Sequence, residues 1–221
     1  AVGRLAAGIA HELNNPLGNI IGYAKLLLQL GNLGDWEKEK LSVIIEQAQK
    51  GSDIIKGLLE FSHQRPLELR EVNINNSIER VLTLMESFLK TGSIQIKREF
   101  NHLPPVIADE KQIEQVFYNI ILNAIQALEG RSNGYIEIKT IRLNSSVQIS
   151  IKDNGPGIPK EHLSLIFDPF FTTKPPGKGT GLGLSICSEI IKKHGGSIWV
   201  ESSLGEGTTF NILIPERMSL D

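Results

Sequence analysis

Asn119-Ile120-Ile121-Leu122-Asn123-Ala124 lies inside a segment, residues 109–128, whose apolar positions recur at helical spacing. Val116, Ile120, Ile121, Ala124 and Leu128 form the apolar part of that predicted helix. Asn119 and Asn123 stand at i and i+4, so their carboxamides share one face. Asparagine is a poor residue for a helix interior, and two on one face of an apolar helix need partners. A carboxamide oxygen is a hard, neutral ligand suited to a Mg²⁺ ion that also holds phosphates. Two structural amides bonded to loop backbone satisfy the pair as well, and taken alone that is the simpler reading.

Outward from this helix lie two glycine-rich segments. Asp153-Asn154-Gly155-Pro156-Gly157 follows a predicted strand, and Gly177-Lys178-Gly179-Thr180-Gly181-Leu182-Gly183-Leu184 precedes a predicted helix. The second has the physics of a phosphate cradle: glycines let backbone N–H groups approach an anion, and a helix N-terminus adds positive dipole. The GxxxxGK[ST] spacing of a Walker A loop is absent. No strand leads straight into the segment and no βαβ unit surrounds it, so it is not a dinucleotide turn. Asp153 either caps a turn or accepts a hydrogen bond from an exocyclic amine, which would select adenine.

The surrounding pattern alternates strand and helix periods. Residues 71–74, 94–100, 135–143, 146–152, 197–201 and 208–214 read as strands, with a hairpin over Asn144-Ser145. Residues 75–90, 109–128 and 181–194 read as helices, and Pro215 ends the fold. Strands clustered late with helices between them give an α+β fold: a two-layer sandwich with one sheet covered on one face.

Residues 1–65 differ in character and read as an antiparallel helical hairpin. Ala10, Leu13, Leu17, Ile20, Ala24 and Leu27 follow steps of three and four, a heptad-like seam. The pattern stops at Gly31-Asn32-Leu33-Gly34-Asp35 and resumes at Trp36. On the second helix Leu41, Ile44, Ala48, Gly51, Ile55 and Leu58 mark one side, widened by Ile45 and Leu59. Two helices cannot enclose such a stripe, whereas two hairpins make a four-helix bundle, so a homodimer is expected. Arg65-Pro66 is the expected hinge, dividing a domain of residues 1–65 from one of residues 66–221.

His11-Glu12-Leu13-Asn14-Asn15-Pro16 sits in the first helix. His11 lies off the apolar seam among Gly8, Asn14, Asn15 and Gly18, which leaves its imidazole accessible. Glu12 is placed to fix the tautomer or take a proton, freeing a ring nitrogen as nucleophile. Position 15 is Asn, which excludes a HExxH zinc site.

Composition sets the outer bounds. The 221 residues carry 23 Lys and Arg against 25 Asp and Glu, a net −2, so there is no basic field for nucleic acid. One cysteine rules out an internal disulfide framework and fits a reducing compartment. No apolar run is long enough for a membrane span. The first residue is Ala1 rather than Met, already in helical register, which suggests a piece of something longer.

Taken together, these motifs resemble the sensor histidine kinases of two-component systems, in the family's order along nearly the whole chain. Residues 11–16 resemble the H box and residues 115–127 the N box. Residues 153–157 and 179–183 resemble the two glycine boxes. Phe167-Asp168-Pro169-Phe170-Phe171 resembles the F box, and Gly205-Glu206-Gly207-Thr208-Thr209-Phe210 the closing glycine-threonine box. The resemblance implies a dimeric phosphoacceptor hairpin followed by a GHKL-type ATP-binding domain with a mixed sheet. It implies autophosphorylation by ATP with Mg²⁺ and relay to an aspartate on a response regulator receiver domain.

Position by position, it implies that His11 takes the γ-phosphoryl group, assisted by Glu12. Asn123 would bind Mg²⁺, and Asn119 would support phosphates or metal. Asp153 would accept from the adenine amine, helped by Thr208 through water, with Gly155 and Gly157 letting the base approach. Gly179, Thr180, Gly181, Leu182 and Gly183 would line the phosphates, and Lys174 and Lys178 would neutralise them. Asn15 falls where the family places a residue that orients water for dephosphorylating the partner. A cytoplasmic piece is implied, with no direct membrane contact of its own, whatever anchors the full-length protein. The nearest rival, an ATP-driven clamp of the gyrase, mismatch-repair or chaperone type, carries a Glu where this chain has Asn119.

Overall fold

A computed structural model describes residues 2–30, 32–62, 66–175 and 179–217, and for residues 2–12, 14, 49, 50 and 53–62 it describes the backbone alone. The chain divides into two compact units, Ala1–Arg65 with Phe170–Leu182, and Pro66–Pro169 with Gly183–Asp221.

In the first unit, α1 (Val2–Gln29) and α2 (Asp35–Ser62) form the hairpin, and α1 runs through Pro16 without interruption. Small residues let the helices close: Ala24 and Ala48 are buried, and a Cβ added at Gly51 would lie 3.3 Å from Leu17 Cδ1. The seam splits in two. Leu17 and Ala24 are covered, while Leu13, Ile20 and Leu27, spaced by seven, remain 47%, 45% and 48% exposed. On α2, Leu41 and Ile45 are half-buried and Ile44 is exposed, so Ile45 rather than Ile44 takes the inner position beside Ala48.

The second unit is a two-layer sandwich. Its elements are β1 (Arg70–Val72), α3 (Ile74–Leu84), α4 (Glu86–Thr91), β2 (Gln95–Phe100), β3 (Val106–Ala108) and α5 (Glu110–Ala127). There follow β4 (Tyr135–Leu143), β5 (Ser146–Asp153), α6 (Lys160–Leu163), α7 (Gly183–Lys193), β6 (Ser197–Ser203) and β7 (Gly207–Pro215). The five-stranded sheet has the order β2-β4-β5-β7-β6. Only its β2–β4 pairing is parallel, so the sheet is mixed as expected. Alternation decides its inner face: Ile136 and Ile138 of β4, Val147, Ile149 and Ile151 of β5, and Phe210, Ile212 and Ile214 of β7 are all buried. The apolar sides of α3, α5 and α7 supply the facing layer.

One predicted helix differs, and two short elements, β3 and α6, have no counterpart in the sequence pattern. The single helix expected over 75–90 is interrupted at Met85, which is fully buried and links Ile74–Leu84 to Glu86–Thr91. The three-residue β3, after Pro104-Pro105, was too short to show a period; it pairs antiparallel with β1. No helix among the described residues is long and apolar enough to cross a membrane.

His194 closes the core at the end of α7. It is completely buried, its Nδ1 lies 2.8 Å from the Ile190 carbonyl, and its Nε2 accepts the Asp109 N–H at 3.0 Å. The ring is therefore neutral, with its proton on Nδ1. Asp109 in turn caps α5 through Oδ1 to the Gln112 N–H, and its Oδ2 accepts from the Glu68 N–H. Replacing His194 by Phe keeps a ring but leaves the Asp109 N–H buried and unpaired. Denaturant unfolding of His194→Phe should show a loss of about 1–3 kcal/mol.

Candidate functional site

Strand alternation carries a carboxylate to the end of an apolar column. Val147, Ile149 and Ile151 of β5 point inward, and the next inward residue is Asp153, which is 4% exposed. In register it faces Ile136 of β4 on one side and Thr208 of β7 on the other. Asp153 Oδ1 accepts the Gly155 N–H at 2.7 Å. Burial raises the carboxyl above its ordinary value, while the backbone N–H groups of Gly155 and Thr208 and the charge of Arg131 pull the other way. Arg131 itself donates to the Asn154 carbonyl.

The row continues one strand further. Thr208 pairs with Ser202 of β6, and their hydroxyl oxygens are 3.0 Å apart. Ser202 Oγ also donates to the Gly207 carbonyl and accepts the Ile158 N–H, both at 2.8 Å. Ser202 is the functional candidate that sequence reading missed. Its partner is fixed by the β6–β7 register, and the short Leu204-Gly205-Glu206 turn was the available signal for that pairing.

Around Asp153 the backbone is packed too tightly for side chains. A Cβ at Gly155 would lie 2.6 Å from Asp153 Oδ1. Gly207 has φ +100°, and a Cβ there would collide with the Asp153 carbonyl. Gly157 has φ +76° and crosses the Ser203 carbonyl equally closely. Asn154 ties this loop to the start of β4: its Oδ1 accepts the Tyr135 N–H at 2.7 Å and its Nδ2 donates to Asn133 O at 2.9 Å.

The two asparagines of α5 are half-buried. Asn119 Nδ2 donates to the Gly183 carbonyl at 3.3 Å, and the side chain also hydrogen-bonds Cys187, whose thiol burial pushes up to about 12. The structural role foreseen for one amide is thus present. Asn123 lies one turn further along the same helix. Among the described residues no three His, Cys, Asp or Glu are gathered as a metal cluster; a carboxamide oxygen is itself a hard donor.

The segment Phe170–Leu182 closes on itself. Phe170 N–H donates to Gly181 O at 2.9 Å, Lys174 N–H to Thr172 Oγ1 at 3.2 Å, and Leu182 N–H to Thr180 Oγ1 at 3.3 Å. Gly179 lies against Thr172 and Lys174. Lys178 lies outside the described residues, as do the side chains of His11 and Glu12, whose backbone is helical in α1. Asn15 is exposed on the same helix.

A helical hairpin joined to a sandwich with a buried carboxylate and an asparagine-bearing helix defines a class of protein. Residues 1–66 match the His Kinase A (phospho-acceptor) domain, and residues 108–218 match the Histidine kinase-, DNA gyrase B-, and HSP90-like ATPase family. The chain is 40% identical over 220 residues to the signal transduction histidine-protein kinase AtoS of Escherichia coli K12, covering 97% of this chain and 35% of that protein. It is 37% identical to the sensor histidine kinase ZraS of the same strain, covering 99% of this chain and 46% of that protein. Full-length ShkA in complex with AMPPNP superimposes with a TM-score of 0.81 at 27% identity, over 96% of this chain and 45% of that one. Histidine kinase ThkA in complex with response regulator protein TrrA gives 0.71 at 35% identity, over 97% and 62%. The chain belongs to the sensor histidine kinases of two-component systems, and it spans less than half the length of the two curated relatives.

The glycines sort by what the fold asks of them. At Gly183, the first residue of α7, a Cβ would meet nothing nearer than Asn119 at 3.8 Å. Gly207→Ala should cost the strain of a left-handed residue, about 1–3 kcal/mol, plus the collision with Asp153. Gly183→Ala should leave thermal stability within about 0.5 kcal/mol. Calorimetric melts of the two variants check the contrast.

Proposed function

We propose that this chain is the catalytic core of a sensor histidine kinase, with residues 1–65 as phosphoacceptor and residues 66–221 as ATP-binding domain. The observation that carries the reading is Asp153: a carboxylate buried at the end of an apolar column, in a chain that also bears a matched phosphoacceptor hairpin. The carboxylate accepts from the adenine amine, Thr208 assists through water, and Gly155 and Gly157 let the ring approach. Gly183 and the segment bearing Lys174, Lys178, Gly179, Thr180, Gly181 and Leu182 surround the phosphates. The fit for Mg²⁺ rests on the oxygens of Asn123 and Asn119, hard donors in a site whose remaining ligands come from phosphate. When bound, the ion offsets the charge of the transferring phosphoryl group.

The γ-phosphoryl group leaves ADP and bonds to an imidazole nitrogen of His11, Glu12 taking the ring proton. It then passes to an aspartate carboxylate of a receiver domain, and ThkA, similar to this chain, has been seen with a response regulator bound. Asn15, exposed one turn after His11, is assigned the orienting of water for hydrolysis of the regulator's phosphoaspartate, a role that its exposure supports. The exposed stripe of Leu13, Ile20 and Leu27 supports a homodimer, since a second hairpin would cover it.

Incubation with γ-labelled ATP and Mg²⁺ tests the reading. The wild type should acquire an acid-labile, base-stable label, and His11→Gln should lose it while still binding nucleotide. Asn123→Asp should weaken Mg²⁺-dependent labelling. Label retained in His11→Gln removes that residue from its role; phosphate release with no labelling supports a plain ATPase instead.

Protonation of Asp153 gives a second test. A protonated carboxyl donates where the adenine amine also donates, so ATP affinity should fall as pH drops through the carboxyl's raised value. For the ligand-free fold the sign is opposite. The interior disfavours the ionised form, so this group's stabilisation is present below its unfolded value and lost as pH rises through the folded one. As pH is lowered, ATP titrations should show wild-type affinity falling before the ordinary aspartate range is reached, with Asp153→Asn weak and flat. Level wild-type affinity down into that range removes Asp153 from the base contact.

A further inference from the structure

We infer that Asn133-Gly134 is a site of spontaneous covalent modification by water, and that the fold spares the other Asn-Gly pair of the chain, Asn154-Gly155.

The two pairs lie against one another, joined by the hydrogen bond from Asn154 Nδ2 to the Asn133 carbonyl. In an Asn-Gly pair the main-chain nitrogen of glycine attacks the carboxamide carbon of asparagine, and no Cβ on the glycine hinders it. A C–N bond forms, and the carboxamide nitrogen leaves as ammonia, taking the proton that the glycine N–H gives up. The cyclic imide that remains is opened by water. Attack at Cγ leaves aspartate. Attack at the main-chain carbonyl leaves isoaspartate, with the chain rerouted through Cβ and Cγ.

The fold treats the two pairs differently. Asn133 is exposed in the turn between α5 and β4. Among the described residues neither its carboxamide nor the Gly134 N–H has a hydrogen-bond partner, so nothing holds electrophile or nucleophile back. At the second pair both are committed. Asn154 Oδ1 accepts the Tyr135 N–H at 2.7 Å, its Nδ2 donates to the Asn133 carbonyl at 2.9 Å, and the Gly155 N–H donates to Asp153 Oδ1 at 2.7 Å. Gly155 is also buried. Ring closure there must break these bonds first, so it waits on local opening of the loop.

Conversion at Asn133 places a negative charge beside the loop that carries Asp153. In the isoaspartate product the carbonyl that holds Asn154 is no longer part of the main chain, so the brace between that loop and β4 changes at its anchor.

The test holds the folded chain, and the same chain unfolded in guanidinium chloride, in mildly alkaline buffer and follows tryptic peptides by mass. Cleavage after Arg131, Lys139, Lys152 and Lys160 puts Asn133 and Asn154 in separate peptides, 132–139 and 153–160. A sample digested at the start corrects for conversion during digestion. In the folded chain Asn133 should convert at least about tenfold faster than Asn154, the worth of the hydrogen bonding that Asn154 must first give up. In guanidinium chloride the two rates should approach one another. Gly134→Ala brings a Cβ no closer than 3.4 Å to Leu128, so the variant should fold, which a thermal melt checks. It should slow conversion at Asn133 and leave Asn154 unchanged. Equal rates in the folded chain, or an Asn133 that converts only when unfolded, overturn the inference. A rate ratio unchanged by unfolding also overturns it, since the neighbouring residues rather than the fold would then set the difference. Undiminished conversion in Gly134→Ala removes the glycine nitrogen as the attacking group and overturns it as well.

Discussion

The inner face of β5 runs Val147, Ile149, Ile151 and then Asp153, so the alternation that builds the core also drives a carboxylate into it. A carboxylate out of water needs hydrogen-bond donors to remain charged. Here the fold supplies backbone N–H groups of Gly155 and Thr208 and the more distant charge of Arg131, and burial still outweighs them. Much of the neighbouring backbone follows from this placement. Gly155 lacks a side chain where Asp153 Oδ1 would be struck, and Gly207 lacks one where the strands cross at the Asp153 carbonyl. Asn154 pins the loop to β4 so that Gly155 stays within reach of the carboxylate. A buried carboxyl raised in this way is the kind of group found at functional sites, which is why the proposed base contact falls on it.

The second fixed feature is the pairing of α5 with α7. His194 joins the end of α7 to the N-terminus of α5, Cys187 Sγ lies 3.8 Å from the Val116 carbonyl, and Asn119 reaches the first residue of α7. These contacts occur near both ends and the middle of α7, so sliding one helix along the other would strip buried polar groups of their partners. The asparagine face is therefore carried on a rigid pair. Asp109 extends the same network to the Glu68 backbone, two residues past Pro66. The chain entering the domain is thus tied to the helix that bears Asn119 and Asn123.

How far the sequence reveals this depends on the range of each interaction. The alternation of β4 and β5 and the i, i+4 asparagines are local, and both could be read directly. The predicted strand stops at residue 152, one short of β5, so the inward direction of Asp153 emerges only in the structure, where period two carries it on past the apolar residues. Ile44 and Ile45 show where local pattern fails: either fits a broad apolar stripe, and only the crossing of α2 over α1 selects Ile45. Met85 falls mid-helix by propensity, yet its burial ends one helix and begins another, a tertiary effect that overrides a local preference. His194 and Ser202 were harder still. Each owes its role to partners far away in sequence or across a turn, and neither residue type announces a buried hydrogen bond.

A glycine in a nucleotide-binding motif can be kept by the chain or by what the chain binds, and added Cβ atoms separate the two. Gly157 and Gly207 combine positive φ with backbone collisions, so the fold alone explains them. Gly183 has neither: a side chain there would touch only Asn119, at ordinary contact distance, and alanine would suit the start of a helix better. The empty fold gives no reason for glycine at 183. The space beside Asn119, at the N-terminus of an eleven-residue helix, is where an anionic group would come closest to backbone N–H. An anion held there would give glycine at 183 the reason that the fold alone does not.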